Sequence, residues 1–216
     1  MFLKDRSFSP VKSEDLSPMT FNSFFEGSQL NSETLLSGFD IETYSPHGFP
    51  HNMEDPVVNF SLAMPLKSFG NGLLIVSSIC NPVFERELLA TLNYLFKSLN
   101  GGTLLTYNGE KFDVQYVIER GKIYGINFKD AFSGLSHIDL YKLIRWFNVS
   151  LPKYNQKYVE KMIGVKRVIN DVTGASYHFS FNNFRRGGDL KPVFYNIEDS
   201  VGCLRIAKWL SSHQKR

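Results

Sequence analysis

Cysteine and long apolar runs are scarce in this chain, and net charge is small; each scarcity closes off a class of protein. Two cysteines among 216 residues, Cys80 and Cys203, give neither a disulfide framework nor a metal-ligand spacing, and read as buried or half-buried thiols in a reducing compartment. No apolar run approaches the roughly 18 residues needed to cross a bilayer. The opening Met1-Phe2-Leu3-Lys4-Asp5-Arg6 lacks the apolar core of a signal peptide. A formal net charge of +3 excludes a polycationic arm; it permits nucleic-acid binding without arguing for it. The expectation is a soluble, intracellular (cytoplasmic) protein with no membrane partner.

What is present suits one compact domain: 43% of residues are hydrophobic and 14% aromatic, enough for a sizeable core. Residues 1–34 are serine-rich and carry Pro10, Pro18 and several phenylalanines. They read as an irregular or partly ordered leader, with the domain proper over 35–216. Its first strand, Leu35 to Thr43, is apolar apart from Asp40 and Glu42. Strand side chains alternate, so Phe39 and Ile41 face one side and the two carboxylates share the other. Like charges that close repel each other and lose hydration, and a divalent cation is the natural counter-charge.

Val57–Met64 and Leu73–Ser77 read as strands joined by a turn around Gly70-Asn71-Gly72. Asn81 caps a helix with Pro82 at its first position and an apolar stripe of Phe84, Leu88, Leu92, Leu95 and Leu99. A strand over Thr103–Tyr107 leads by a tight turn into a helix bearing Phe112, Tyr116 and Val117 and ending at Gly121. Further on come a strand at His137–Leu143, a helix near Asn155–Ile163, a poorly patterned stretch over 165–188, and a last helix from about Pro192 to Leu210. Strands first, then strands alternating with helices, predict an α/β domain: a central mixed sheet, three antiparallel strands leading into parallel ones, flanked by helices.

Two further acidic signals answer the first. Asn108-Gly109-Glu110-Lys111-Phe112-Asp113 places an aspartate in the first turn of a helix that follows a strand. In the last helix Tyr195 and Asp199 are four apart and share a face, which Gly202 continues. A glycine inside a helix costs about 1 kcal/mol relative to alanine, so Gly202 suggests close approach, and the Asp40/Glu42 face is the expected partner. Of the ten tyrosines only Tyr195 is followed four residues later by aspartate, and Asp40-Ile41-Glu42 is the one Asp-x-Glu.

D-x-E in the first strand, N-x-x-x-F-D, then Y-x-x-x-D in the last helix resembles the DEDD superfamily of 3′-to-5′ exonucleases, tyrosine subtype, with its ribonuclease H-like fold. The chain looks closest to the proofreading domains of family B DNA polymerases and their free-standing relatives. The resemblance covers about residues 35–210, including His137-Ile138-Asp139-Leu140 and the glycine-ended stretch Tyr158 to Gly164. No polymerase-like segment follows, so the expectation is a stand-alone enzyme. The resemblance implies Asp40, Glu42, Asp113 and Asp199 as ligands of two Mg²⁺ or Mn²⁺ ions, a choice that all-oxygen donors favour over zinc. It implies that Tyr195, helped by Glu42, orients the attacking water. It also makes Asn108 a contact to the terminal nucleotide. The implied activity removes nucleoside 5′-monophosphates from 3′ ends of DNA, preferably single-stranded, with DNA repair as the setting. Trimming of RNA 3′ ends keeps the same chemistry. A catalytically silent nucleic-acid-binding module is the third reading, and its phosphate ligand would be repelled by these carboxylates.

Other candidates are weaker. His51 and Asp55 have ligand-like spacing in a proline-flanked loop and read as surface. His137 and Asp139 read as a polar pair on one strand face. Arg185, Arg186, Lys191, Lys166 and Arg167 could line a groove that tracks a nucleic-acid backbone or be ordinary solvated charge. Tyr154 and Tyr158 could stack on bases or pack in the core.

Overall fold

The computed structural model describes residues 35–50, 52–66, 72–147 and 150–213. The leader 1–34, His51 and the Gly70-Asn71 part of the expected turn lie outside the described residues. Strand β1 (Leu36–Thr43) pairs antiparallel with β2 (Val57–Leu66), and β2 pairs antiparallel with β3 (Gly72–Ile79). Along its other edge β1 runs parallel to β4 (Thr103–Thr106), which runs parallel to β5 (Ser136–Asp139), giving the order β3-β2-β1-β4-β5. The expected antiparallel start leading into parallel strands is therefore what forms. Parallel neighbours need crossovers: α1 (Glu85–Ser98) carries the chain from β3 to β4, and α2 (Asp113–Ile123) with α3 (Phe128–Ser133) carries it to β5.

Alternation along β1 divides the core. Phe39 and Ile41 face α1, α2 and α3, in one cluster with Leu89, Phe96, Val117 and Phe128; the Phe39 and Phe96 rings meet edge to face at 5.0 Å. The opposite face is covered by the long helix α7 (Lys191–His213), where Leu36 packs with Leu204 and Ala207 beside α4 (Leu140–Trp146) and α5 (Gln156–Met162). A third cluster, around Val58, Tyr177, Phe181 and Tyr195, seats α6 (Tyr177–Gly187). No helix among the described residues is long and apolar enough to cross a membrane.

Gly38 sets how near α7 comes to β1. A Cβ at Gly38 would lie 2.0 Å from the Ser200 carbonyl oxygen, so only a residue without one lets the helix backbone rest on the strand. That contact puts the segment from Tyr195 to Asp199 over the carboxylate side of β1. The close approach expected of Gly202 is real but has another partner: its neighbour is Glu160 of α5, not the strand.

Several expected boundaries move. The strand expected to reach Leu143 stops at Asp139, whose side chain accepts from the Tyr141 amide and caps α4; Leu140 and Ile144 are buried at helical spacing. Asn81 caps a short 3₁₀ turn, Pro82–Phe84, and α1 begins only at Glu85. Phe84 is consequently 56% exposed and drops out of the stripe, while Leu89 and Phe96 join it. Gly121 is interior to α2, where a Cβ would lie 2.6 Å from the Phe128 ring. The unpatterned stretch holds a 3₁₀ turn, Gly174–Ser176, and α6.

Gly38→Ala should cost at least the 1–3 kcal/mol typical of overpacking, because the obstacle is backbone. Gly187→Ala, where a Cβ meets nothing within 4 Å, should leave stability unchanged or raise it by up to about 1 kcal/mol. Urea denaturation of the two variants checks this; equal midpoints would contradict it.

Candidate active site

Three elements deliver the acidic side chains. β1 turns Asp40 and Glu42 toward α7; one turn of α7 aligns Tyr195 with Asp199; and α2 starts at Asp113. Carboxylate oxygens of Asp40, Glu42 and Asp199 all lie within 4.8 Å of one another. Asp113 stands beside this trio, its Oδ1 accepting from the Ile41 amide at 3.0 Å. It is thereby fixed to β1 between the two strand carboxylates. The five expected residues Asp40, Glu42, Asp113, Tyr195 and Asp199 all line one cleft of about 840 Å³. Phe49, Pro50, Tyr107, Phe112 and Tyr154 contribute apolar and aromatic surface to its walls.

Electrostatics here are dominated by crowding. Burial, then the Asp113, Asp199 and Glu42 charges, push the Asp40 carboxyl well above its usual range. Burial, then Asp199 and Asp113, do the same to Glu42. Burial lifts Asp113 to about 7, against the pull of the Ile41 amide. The Tyr195 hydroxyl is held protonated by burial and by the neighbouring carboxylates.

Asn108 lines the cleft with φ +64°, in the left-handed region that asparagine tolerates. Asp139 holds it there: its two carboxylate oxygens accept from the Asn108 amide at 2.9 Å and the Glu110 amide at 3.1 Å. His137 hydrogen-bonds Thr106 at 2.8 Å, so neither member of that pair joins the carboxylate trio. The Tyr154 carbonyl accepts from the Tyr107 hydroxyl, and the Arg145 guanidinium lies 4.7 Å from the centre of the Tyr154 ring.

Two polar residues at the site, Asn196 and Lys157, escape sequence reasoning, and a third, Arg167, takes a role other than the one expected. Asn196, fully buried, donates from Nδ2 to Asp40 Oδ2 at 2.7 Å, and its carbonyl accepts from the Ser61 hydroxyl. Lys157 places its ammonium 4.6 Å from the centre of the Tyr195 ring and donates to the Val172 carbonyl; burial and Arg167 lower its pKa. Arg167 is neither groove-lining nor solvated. Its side chain is 5% exposed and pairs with Glu160 and Asp199. Lys191 pairs with Asp171 at the surface, and Arg185, Arg186 and Lys166 are exposed.

The donor set suits a hard divalent cation. Four carboxylates converge; of the cations beside them Arg167 is already shared with Glu160 and Lys157 lies over the Tyr195 ring, so negative charge remains in excess. Asp40, Glu42 and Asp199 could hold such an ion directly.

A mixed sheet with carboxylates gathered from its first strand and its last helix defines an α/β protein with a candidate metal centre at one end of the sheet. A model of the RNase_H superfamily matches residues 39–211, and the chain belongs to that superfamily. The chain is 23% identical over 222 residues to a DNA polymerase of Methanocaldococcus jannaschii, covering 90% of this chain and 13% of that protein. It is 28% identical over 156 residues to a DNA polymerase of Thermococcus kodakarensis, covering 62% and 9%. Among solved structures, the family B DNA polymerase of Pyrobaculum calidifontis superposes with a TM-score of 0.65 at 20% identity, over 82% of this chain and 24% of that one. E. coli Exonuclease I in complex with a dT13 oligonucleotide gives 0.60 at 14% identity, over 84% and 42%. The chain thus spans less than half the length of each of these proteins, and the structural likenesses establish the fold.

A carboxyl that keeps its proton to higher pH in the fold than in the unfolded chain stabilises fully below its unfolded pKa and loses that contribution as pH rises through its folded one. For Asp113 the window runs from about 4 to about 7, and Asp40 and Glu42 act in the same direction. Melting temperature in EDTA should therefore fall as pH rises across this window, and saturating Mg²⁺ or Mn²⁺ at neutral pH should raise it. Melts that rise with pH across the window in EDTA, or ignore the metal, would count against this site.

Proposed function

We propose that this chain is a divalent-metal-dependent 3′-to-5′ exonuclease that hydrolyses the terminal phosphodiester of DNA, preferably single-stranded, and releases nucleoside 5′-monophosphates. The observation that carries the proposal is the convergence of Asp40, Glu42 and Asp199 oxygens within 4.8 Å, beside Asp113, in an aromatic-walled cleft. Asp40, Glu42, Asp113 and Asp199 would hold two Mg²⁺ or Mn²⁺ ions, which supply charge stabilisation to both the attacking and the leaving oxygen of an in-line displacement. Tyr195, kept as a neutral phenol by its burial, orients the attacking water and does not serve as its base. Glu42, close enough for its charge to act on that phenol, shares in positioning the water. Asn108, held in its left-handed turn by Asp139, contacts the terminal nucleotide. Phe49, Tyr107 and Tyr154 offer ring surface in the cleft, and base stacking on aromatic side chains suits a single strand. The choice of DNA is supported by the polymerase relatives and by the dT13 oligonucleotide bound to Exonuclease I.

The test uses 3′- and 5′-labelled single-stranded DNA and RNA with Mg²⁺, Mn²⁺ or EDTA. Mononucleotides should leave the DNA 3′ end with either metal and not with EDTA. Asp40→Asn should slow release at least about a hundredfold, as the loss of several kcal/mol of charge stabilisation implies. Tyr195→Phe should lower kcat by about a hundredfold with little change in KM. Faster release from RNA would reassign the substrate, cleavage by Asp40→Asn at the parent rate would remove the site, and metal-independent binding without cleavage would make the chain a binding module.

A further inference from the structure

Arg167 and Glu160 do not line the cleft, yet they are tied to the carboxylates on its floor. The guanidinium of Arg167 meets Asp199 Oδ1 through Nη2, and meets Glu160 through Nε and Nη2. Both side chains are almost wholly buried, 5% and 1% exposed. Space for them is made at Gly202, where a Cβ would lie 1.8 Å from Glu160 Oε1 and 2.5 Å from Gln156 Nε2. Gln156 ties the same corner together, donating to Glu160 Oε1 at 3.1 Å and to the Asp199 carbonyl at 2.7 Å. An interior glycine that weakens α7 thus admits a carboxylate, the carboxylate anchors an arginine, and the arginine holds Asp199.

We infer that Gly202, Glu160 and Arg167 form a positioning relay that fixes which oxygen of Asp199 faces a divalent cation. The inference rests on reading Asp199 as a metal ligand. With Oδ1 held by Arg167, Asp199 offers Oδ2 in one orientation. The presence of Glu160 is what separates positioning from simple charge neutralisation. A lone buried arginine would subtract from the negative field that draws a divalent ion. An arginine whose fork is gripped by its own carboxylate Glu160 holds Asp199 through Nη2 from a fixed position and adds almost no net charge.

Removing one partner of a buried ion pair strands the other charge, whereas replacing both with apolar residues of similar size is often neutral for folding. The test is therefore calorimetric titration of Mn²⁺, without nucleic acid, into the parent chain and the Glu160→Leu/Arg167→Met double variant, with the metal-free melting temperature of each. Loss of groups that orient a metal ligand typically costs 10–100-fold in affinity, and the double variant should lose about that much while still melting cooperatively. Gly202→Ala, which removes no charge, should show the same loss. Arg167→Lys keeps the charge without the fork and should fall between; it decides the question if the other variants do not fold. Folded variants that bind Mn²⁺ within about twofold of the parent would overturn the relay alone. A parent chain that binds no Mn²⁺ would overturn the metal site and the relay with it.

Discussion

Carboxylates forced together away from water repel one another, and the packing around β1 is arranged about four that are so placed: Asp40, Glu42, Asp113 and Asp199. Each of three is restrained by one local partner. The Asn196 amide holds Asp40, the Ile41 amide holds Asp113, and the Arg167 guanidinium holds Asp199. Glu42 is left to the more distant attraction of Lys157 and Arg167. These partners orient the carboxylates without cancelling their charge, since Arg167 is shared with Glu160. The raised pKa values of Asp40, Glu42 and Asp113 record the imbalance. A divalent cation bound among them would remove it, at the cost of the ion's own partial dehydration.

Two glycines make the arrangement sterically possible. Gly38 lets the backbone of α7 rest on β1, and Gly202 lets α5 place Glu160 against α7. The strand and the last helix therefore meet with only a carbonyl between them. Side chains one turn apart on the helix then reach side chains two apart on the strand. The loop after β4 is fixed from the other side by Asp139, which spends both carboxylate oxygens on its backbone amides. The floor of the cleft is thus rigid secondary structure, and its walls are loops and helix starts, the arrangement that best preserves the geometry of a reactive centre.

Much of this was legible in the sequence because it is local. Alternation on β1 separates Phe39 and Ile41 from Asp40 and Glu42, helical spacing joins Tyr195 to Asp199, and the strand-turn-helix pattern puts Asp113 at a helix start. The antiparallel start of the sheet and its parallel continuation follow from the same local signals together with the family resemblance, whereas the strand order comes from pairings distant along the chain. What escaped depends on contacts distant along the chain. Asn196 reads as an ordinary polar residue until Asp40 is placed beside it. Arg167 sits in an unpatterned stretch, and its carboxylate partner on α7 is 32 residues away. Gly202 signalled close approach, but nothing in its own helix says that Glu160 is what approaches. The end of β5 at Asp139 was missed because one side chain both closes the strand and caps α4.

Membership of the RNase_H superfamily and the position of the carboxylates make one claim central: this corner of the fold is built to hold divalent metal. A crystal of the protein soaked in Mn²⁺ and measured at the manganese absorption edge tests it most directly. The account predicts two anomalous peaks roughly 3.5–4 Å apart, bounded by Asp40, Glu42, Asp113 and Asp199, with Arg167 still on Asp199 Oδ1. Manganese bound elsewhere, or a cleft with no anomalous signal at saturating Mn²⁺, would contradict it.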